Sequence, residues 1–196
     1  MHKGRLEAFS DGVIAVLITI LVLELKAPHG DDWSAVTPLI PAFVSYVLSF
    51  VYLGIYWNNH HHLLQAASHV TGAVLWANLH ILFWLSLIPF VTGWMGENQF
   101  ATIPVAVYGF DLLMAALAYY VLERTLIAAQ GKDSRLKMAV GAEIKGWVSV
   151  VIYVIYVAGI VAALLWTPWV SLGLYGFVAL MWLVPDRRIE RALTGG

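Results

Sequence analysis

Long apolar runs separated by short polar segments make up most of the chain. A membrane-spanning helix needs roughly 20 mostly apolar residues. Six stretches meet this requirement, at about 6–26, 36–57, 70–95, 101–123, 146–166 and 169–185. Only Thr167 and Pro168 separate the last two, and a proline at this point favours two helices over one long span. The pattern predicts an all-α integral membrane protein with six transmembrane helices, in which residues 1–196 form one domain.

The composition indicates that lipid is the solvent of this chain. Hydrophobic residues make up 61% and charged residues 12% of the sequence, and the mean hydropathy is +0.78. Soluble domains are about 45–50% apolar and about 25% charged, and a water-soluble fold of this size could not bury so much apolar surface. The first apolar run ends in Glu-Leu-Lys-Ala-Pro and not in a small-x-small cleavage site. We therefore interpret it as a helix and not as a signal peptide.

The distribution of basic residues predicts how the helices are oriented, because lysine and arginine are enriched in short cytoplasmic loops. With the N-terminus in the cytoplasm, ten of the 11 basic residues lie on that side and only Lys26 lies outside. The ten are Lys3, Arg5, Arg124, Lys132, Arg135, Lys137, Lys145, Arg187, Arg188 and Arg191. An even number of spans then places both termini in the cytoplasm.

The first predicted helix carries two patterns with chemical meaning. Arg5, Ser10 and Asp11 form an ionic and hydroxyl cluster where this helix enters the membrane. Ionisable groups near lipid usually pair inside a helix bundle. The second pattern is a stripe of positions spaced alternately by four and three residues, which share one helix face. The stripe consists of Arg5, Phe9, Gly12, Val16, Thr19, Leu23 and Lys26.

The stripe has two interpretations. Between its charged ends it is apolar except for one hydroxyl, a pattern that a symmetric ring of helices around a narrow pore could present. Asp11 lies about 140° from Val16 around the helix, so it faces the subunit's own helices when the stripe faces elsewhere. In a helix this apolar, ordinary packing produces similar stripes, and spacing alone leaves both interpretations open.

Three motifs together resemble the transmembrane protein 175 family. They are Arg-x-x-x-Phe-Ser-Asp at 5–11, Trp-Asn-Asn-His at 57–60 and Leu-Ile-Pro-Phe-Val-Thr at 87–92. The family comprises lysosomal potassium channels of animals and shorter bacterial and archaeal relatives. The animal proteins carry two six-helix repeats and dimerise. This chain is identified as a single-repeat bacterial or archaeal member, which implies a homotetramer.

The resemblance implies a potassium-selective cation channel whose pore is a ring of four first helices. In the family, bulky apolar residues form the constriction, and a threonine layer contributes to potassium preference. These positions correspond here to Val16, Thr19 and Leu23, with Ile20 as a neighbour. The constriction position is usually isoleucine or leucine in the family, whereas this chain has Val16. The residues implied to hold the first helix in place are Arg5, Phe9, Ser10, Asp11, Trp57 and His60.

The resemblance also implies the setting of the protein. We expect a multi-pass protein of the cell membrane, whose partners are its own copies, the lipid bilayer and monovalent cations, with potassium as the permeant ion. We expect no cofactor, metal or nucleic acid. The sequence contains no Thr-Val-Gly-Tyr-Gly filter and shows no re-entrant pore loop, so selection by stacked carbonyl rings is not expected and a hydrophobic constriction would gate by dewetting.

Three alternatives stay open at this point. A proton-permeable channel or leak would use Asp111, near the middle of the fourth span, together with histidines. A membrane metalloprotein or enzyme would use His60, His61 and His62, although such sites usually combine several separated histidine groups with carboxylates. A purely structural bundle would conduct nothing, with the cluster in an interfacial loop and His60 hydrogen-bonded to the Asp11 cluster. We expect no enzyme, because cysteines, phosphate loops and paired catalytic carboxylates are missing.

Overall fold

The regular structure of the described chain is helical throughout. The structure, a computed structural model, describes residues 3–130 and 144–183, without the side chains of 144–148. Seven α-helices lie within these described residues: α1 Lys3–Leu23, α2 Trp33–Val36, α3 Ile40–Gln65, α4 Gly72–Glu97, α5 Thr102–Gln130, α6 Ile144–Leu165 and α7 Pro168–Leu183. A single 3₁₀ turn, Thr37–Leu39, joins α2 to α3. Six of these helices have 16 or more residues, and the prediction of an all-α membrane protein is confirmed.

Four helical segments of the described chain are long and apolar enough to cross a membrane. They are Lys3–Leu23, Trp33–Gln65, Gly72–Glu97 and Thr102–Gln130. The apolar segments Ser149–Leu165 and Pro168–Leu183 are shorter. That all six cross the bilayer as one domain stays a prediction.

The orientation of the helices also stays a prediction. Both termini lie outside the described residues, and so do six of the basic residues on which the orientation depends: Lys132, Arg135, Lys137, Arg187, Arg188 and Arg191. The side chain of Lys145 is likewise not described.

Two helix ends differ from the sequence pattern in ways that affect the site. The second span was predicted to end at Trp57, but α3 continues to Gln65. The interpretation of His60–His62 as a loop is therefore wrong. The helix continues because Leu63 and Leu64 are buried behind the histidines, so the apolar face resumes after the polar segment. At the other boundary α1 ends at Leu23, and Lys26 lies outside the helix.

The packing order places α1 at an edge of the bundle. It packs mainly against α3 and α4, whereas α5 packs against α4, α6 and α7. One face of α1 is buried, formed by Leu6, Ser10, Ile14, Leu17 and Leu21. The opposite face of α1 has no covering helix in the described part of the subunit.

Candidate functional site

The uncovered face of α1 coincides with the stripe found by spacing. Val16 is 55% exposed and Leu23 is 77% exposed, and Thr19 between them is also exposed. Phe9 continues this face towards the helix start, while Ile20 lies at its edge and is half-buried. We call the exposed positions of α1 that follow this spacing the α1 stripe. They are Arg5, Phe9, Gly12, Val16, Thr19 and Leu23.

Thr19 is the one side chain with a hydroxyl on the α1 stripe. Its Oγ1 donates a hydrogen bond to the backbone carbonyl of Val16, at 2.7 Å. A hydroxyl has one proton to donate and two lone pairs to offer, so this bond leaves the oxygen free to accept. The geometry therefore presents lone pairs on a face that is otherwise apolar from Phe9 to Leu23.

A buried chain of polar side chains fixes the opposite face of α1. His60 Nε2 donates to Asn78 Oδ1 at 2.7 Å, and Asn78 Nδ2 donates to Ser10 Oγ at 2.9 Å. All three residues are completely buried. Leaving polar groups unpaired in such a place is costly, so the chain fixes the rotation of α1 relative to α3 and α4. Asn78, which joins Ser10 to His60, was missed as a site residue, although an amide within an apolar helix is a known signal of interhelical bonding.

The remaining motif residues divide between this network and the α1 stripe. Asp11 Oδ2 lies 3.7 Å from His61 Nδ1, and Trp57 stacks on the His61 ring with centroids 6.1 Å apart. His61 was predicted only as part of the metal-site alternative, and it faces the carboxylate that we expected His60 to approach. Arg5 and Phe9 lie on the exposed stripe and not in the buried chain.

Both ends of α1 are also tied to neighbouring helices. Lys3 Nζ donates to the Gln65 carbonyl at the end of α3, at 2.6 Å, and lies 3.6 Å from Glu7 Oε1. Beyond the other end, Lys26 pairs with Glu97 at the end of α4. The spacing pattern missed the second contact because it counted Lys26 as part of the helix. Pro28, two residues later, signals that the helix ends early.

The histidine cluster shows no metal-binding geometry. Among the described residues, no group of three or more His, Cys, Asp or Glu side chains could hold a metal ion. His60 bonds to Asn78 and His61 faces Asp11. These contacts give the histidines a role in helix packing.

Asp111 in α5 is the buried carboxylate of the described chain. It is 3% exposed, and neither of its oxygens has a hydrogen-bond partner among the described residues. Two polar side chains of the neighbouring α4 that a proton relay could use, Asn78 and His80, bond elsewhere. Asn78 bonds to Ser10 and His60, and His80 Nε2 accepts from Trp84 Nε1 at 3.0 Å.

Comparisons with known proteins agree on one family. The family model described as endosomal/lysosomal potassium channel TMEM175 matches residues 5–89. A potassium channel of Chryseobacterium sp. (strain P1-3) is 52% identical over 193 residues, which cover 98% of each chain. The endosomal/lysosomal proton channel TMEM175 of Gallus gallus is 31% identical over 101 residues, covering 45% of this chain and 20% of the relative.

The fold is shared with a solved structure of the same family. A lysosomal potassium-selective channel TMEM175 homolog from Chamaesiphon minutus matches with a TM-score of 0.73 and 24% sequence identity, covering 92% of this chain and 95% of that one. The family and its relatives are ion channels and not enzymes. With a relative this similar over nearly the full length of both chains, and with the motifs at 5–11 and 57–60 inside the matched region, this chain belongs to the TMEM175 family.

Proposed function

We propose that this protein is a potassium channel whose pore is lined by the α1 stripe. The observation that carries the proposal is the exposure of this stripe on a helix whose other face is fixed inside the subunit. The Chryseobacterium relative is named a potassium channel, and the family name points to the same ion. Passive conduction needs no cofactor.

Four copies of α1 around a common axis would turn the stripe into a series of rings. The helix lies at an edge of the bundle and contacts mainly α3 and α4, which leaves its stripe free for neighbouring subunits. In a homotetramer, Val16, Thr19 and Leu23 would form successive rings about one helical turn apart. Ile20, at the edge of the stripe, would lie at the contact between adjacent α1 helices.

The chemistry of these rings supports conduction without a carbonyl filter. Backbone carbonyls within a helix accept hydrogen bonds from residues four positions later, so the middle of α1 offers an ion few carbonyl oxygens. The Val16 and Leu23 rings would form dry constrictions that gate by dewetting. The Thr19 ring would offer hydroxyl lone pairs to a partly dehydrated cation, because its protons are directed to the Val16 carbonyls.

The buried contacts of α1 would keep the stripe directed at the axis. Ser10, Asn78 and His60 link α1 to α4 and α3 through two hydrogen bonds, and Asp11 faces His61 on α3. Rotation of α1 would break these bonds inside the bundle.

In the cell membrane, both termini would lie in the cytoplasm, as the distribution of basic residues predicts.

Cation flux into liposomes tests the proposal. Purified wild-type protein should pass potassium faster than sodium, and Leu23→Ala should change the potassium flux by about tenfold, because it widens a dry constriction. Trp76→Ala is the matched control, since Trp76 on α4 is 76% exposed, as Leu23 is 77% exposed, but lies outside the α1 stripe. No flux of any small cation from inserted, intact protein would refute the channel and favour a structural bundle.

Proton conduction is the second candidate, because the Gallus gallus relative is named a proton channel. A proton current through the same pore should be visible with a pH-sensitive dye inside liposomes. Acidification that persists without potassium would make protons the permeant ion. Acidification that requires an outward potassium flux would mean that protons enter only to balance the charge of the potassium that leaves.

A further inference from the structure

Lys26 holds an unusual position relative to the α1 stripe. It follows Leu23 by three residues, the spacing that would continue the stripe, yet α1 ends at Leu23. The lysine turns towards α4, where its Nζ pairs with Glu97 Oε1. Both side chains keep contact with solvent, with 74% of Lys26 and 48% of Glu97 exposed.

Glu97 holds the lysine on the α4 side, and Glu24 adds negative charge nearby. The hydrogen bond and charge of Glu97 raise the pKa of Lys26 above its usual value, and the charge of Glu24 adds to this effect. The lysine is therefore charged at neutral pH. Glu24 itself lies over α4, because a Cβ built on Gly93 would come within 2.7 Å of Glu24 Oε2. Glu24 and Lys26, which follow α1, thus both lie against the end of α4.

We propose that Glu97 is a charge-positioning residue, which holds Lys26 away from the Leu23 end of the pore. This inference rests on the proposed function. A lysine released from Glu97 would stand three residues beyond Leu23, and four subunits would place four positive charges at that entrance. Like charges at a pore entrance lower the local concentration of cations, so a free Lys26 would oppose potassium entry.

The surrounding charges agree with this role. Lys26 is the sole lysine or arginine in the segments 24–39 and 98–101 that follow α1 and α4, which also hold Asp31 and Asp32. With Lys26 neutralised by Glu97, this end of the subunit is negative and attracts cations. An exposed ion pair adds little to stability, and α1 is already fixed by the Ser10–Asn78–His60 chain. The position of the charge is therefore the property that the pair controls.

Single-channel conductance of three variants in planar bilayers tests the inference. Glu97→Gln should lower potassium conductance by about threefold in about 10 mM KCl, where charges act over about 30 Å, and by little in about 1 M KCl, where they act over about 3 Å. Lys26→Gln should conduct at least as well as wild type. The double variant should conduct potassium as Lys26→Gln does, because the lysine whose charge opposes potassium entry is absent.

The conductances of the three variants distinguish charge positioning from a purely mechanical link, in which the ion pair only joins α1 to α4. A mechanical link predicts that all three variants change conductance equally, since each breaks the same pair, and that result would overturn the inference. Asp31→Asn is the control, because it removes one negative charge from the same segment and leaves Lys26 paired. A loss as large as that of Glu97→Gln would also overturn the inference. If wild type conducts no potassium, the proposed function fails first and the inference fails with it.

Discussion

The hydroxyl of Thr19 is the residue-scale feature on which ion preference should depend. Its proton is used inside the helix, on the Val16 carbonyl at 2.7 Å, so the exposed side of the oxygen is purely an acceptor. We expect Thr19→Val to lower the potassium-over-sodium permeability ratio. If the ring of lost hydroxyls costs about 1 kcal/mol of differential ion stabilisation, the ratio falls about fivefold. Thr19→Ser should keep most of it. Reversal potentials under potassium and sodium gradients measure the ratio.

Thr125 provides the matched control for this substitution. Its Oγ1 also donates to a carbonyl of its own helix at 2.7 Å, here that of Val121, four residues back instead of three, but it lies on α5 and not on the α1 stripe. Thr125→Val should therefore leave the reversal potential unchanged. A Thr19→Val channel with wild-type reversal potentials would show that the hydroxyl plays no part in ion selection.

At the residue scale, helix spacing predicted which α1 residues share a face but not which face is exposed. Spacing alone put Val16, Thr19 and Leu23 on one face, because helix periodicity determines which residues share a face. Spacing did not show that this face is the exposed one, since the buried face is just as apolar, with Ile14, Leu17 and Leu21 among its residues. That choice came from the family resemblance. Partners distant in sequence cannot be read from a local pattern.

At the scale of helices, close packing depends on small residues around one tyrosine. A Cβ built on Gly109 of α5 would overlap the Tyr175 hydroxyl, and one on Gly159 of α6 would lie 2.5 Å from Tyr175 Cε1. Tyr175 of α7 is fully buried, so it has no open space into which to move. Small residues of this kind let neighbouring helices approach closely in membranes.

We expect Gly109→Ala to destabilise the protein. The added methyl group must displace the Tyr175 ring, and overpacking of this kind costs about 1–3 kcal/mol. Thermal unfolding in detergent, followed by size-exclusion chromatography or circular dichroism, measures the loss. Gly173→Ala on α7 is the control, because nothing lies within 4 Å of its built Cβ. Equal melting temperatures for Gly109→Ala and wild type would mean that α5 and α7 are packed less closely than described.

Helix number and helix ends were not equally predictable. Apolar runs and prolines reveal the helices, since lipid requires long apolar segments with internal hydrogen bonds. Ends depend on tertiary contacts. The polar segment from Asn58 to His62 resembles a loop in sequence, yet α3 continues through it because His60 finds a buried partner in Asn78. Lys26 resembles a helix residue, yet its partner is Glu97 on another helix.

At the scale of the whole molecule, the subunit presents several apolar surfaces that lipid or a second copy would cover. The α1 stripe is one, and the exposed side of α4 around Trp76 is another. Composition cannot distinguish them, because lipid and a neighbouring subunit are equally apolar. The Thr19 hydroxyl and the terminal Arg5 favour the α1 stripe as the surface that faces other copies. Distances between copies would decide the matter directly.

Because the sequence contains no cysteine, disulfide cross-linking of an introduced cysteine reports on that position alone. We expect Leu23→Cys subunits to form disulfide-linked dimers under mild oxidation in the membrane, because the proposed pore would bring four copies of this position within reach, and a disulfide requires Cα atoms about 4.4–6.8 Å apart. Trp76→Cys is as exposed in the subunit, at 76% against 77%, but should stay monomeric on a denaturing gel because the proposed assembly leaves this position facing lipid. Cross-linking of Leu23→Cys should also reduce potassium flux into liposomes, with recovery after reduction.

If Trp76→Cys cross-links and Leu23→Cys does not, the subunits meet through α4, and α1 cannot line a common pore. Cross-linking at Leu23 with loss of flux would show that α1 lies at the axis of symmetry and also forms the dry constriction. The exposed face of α1 in the single subunit would then be the face that lines the pore.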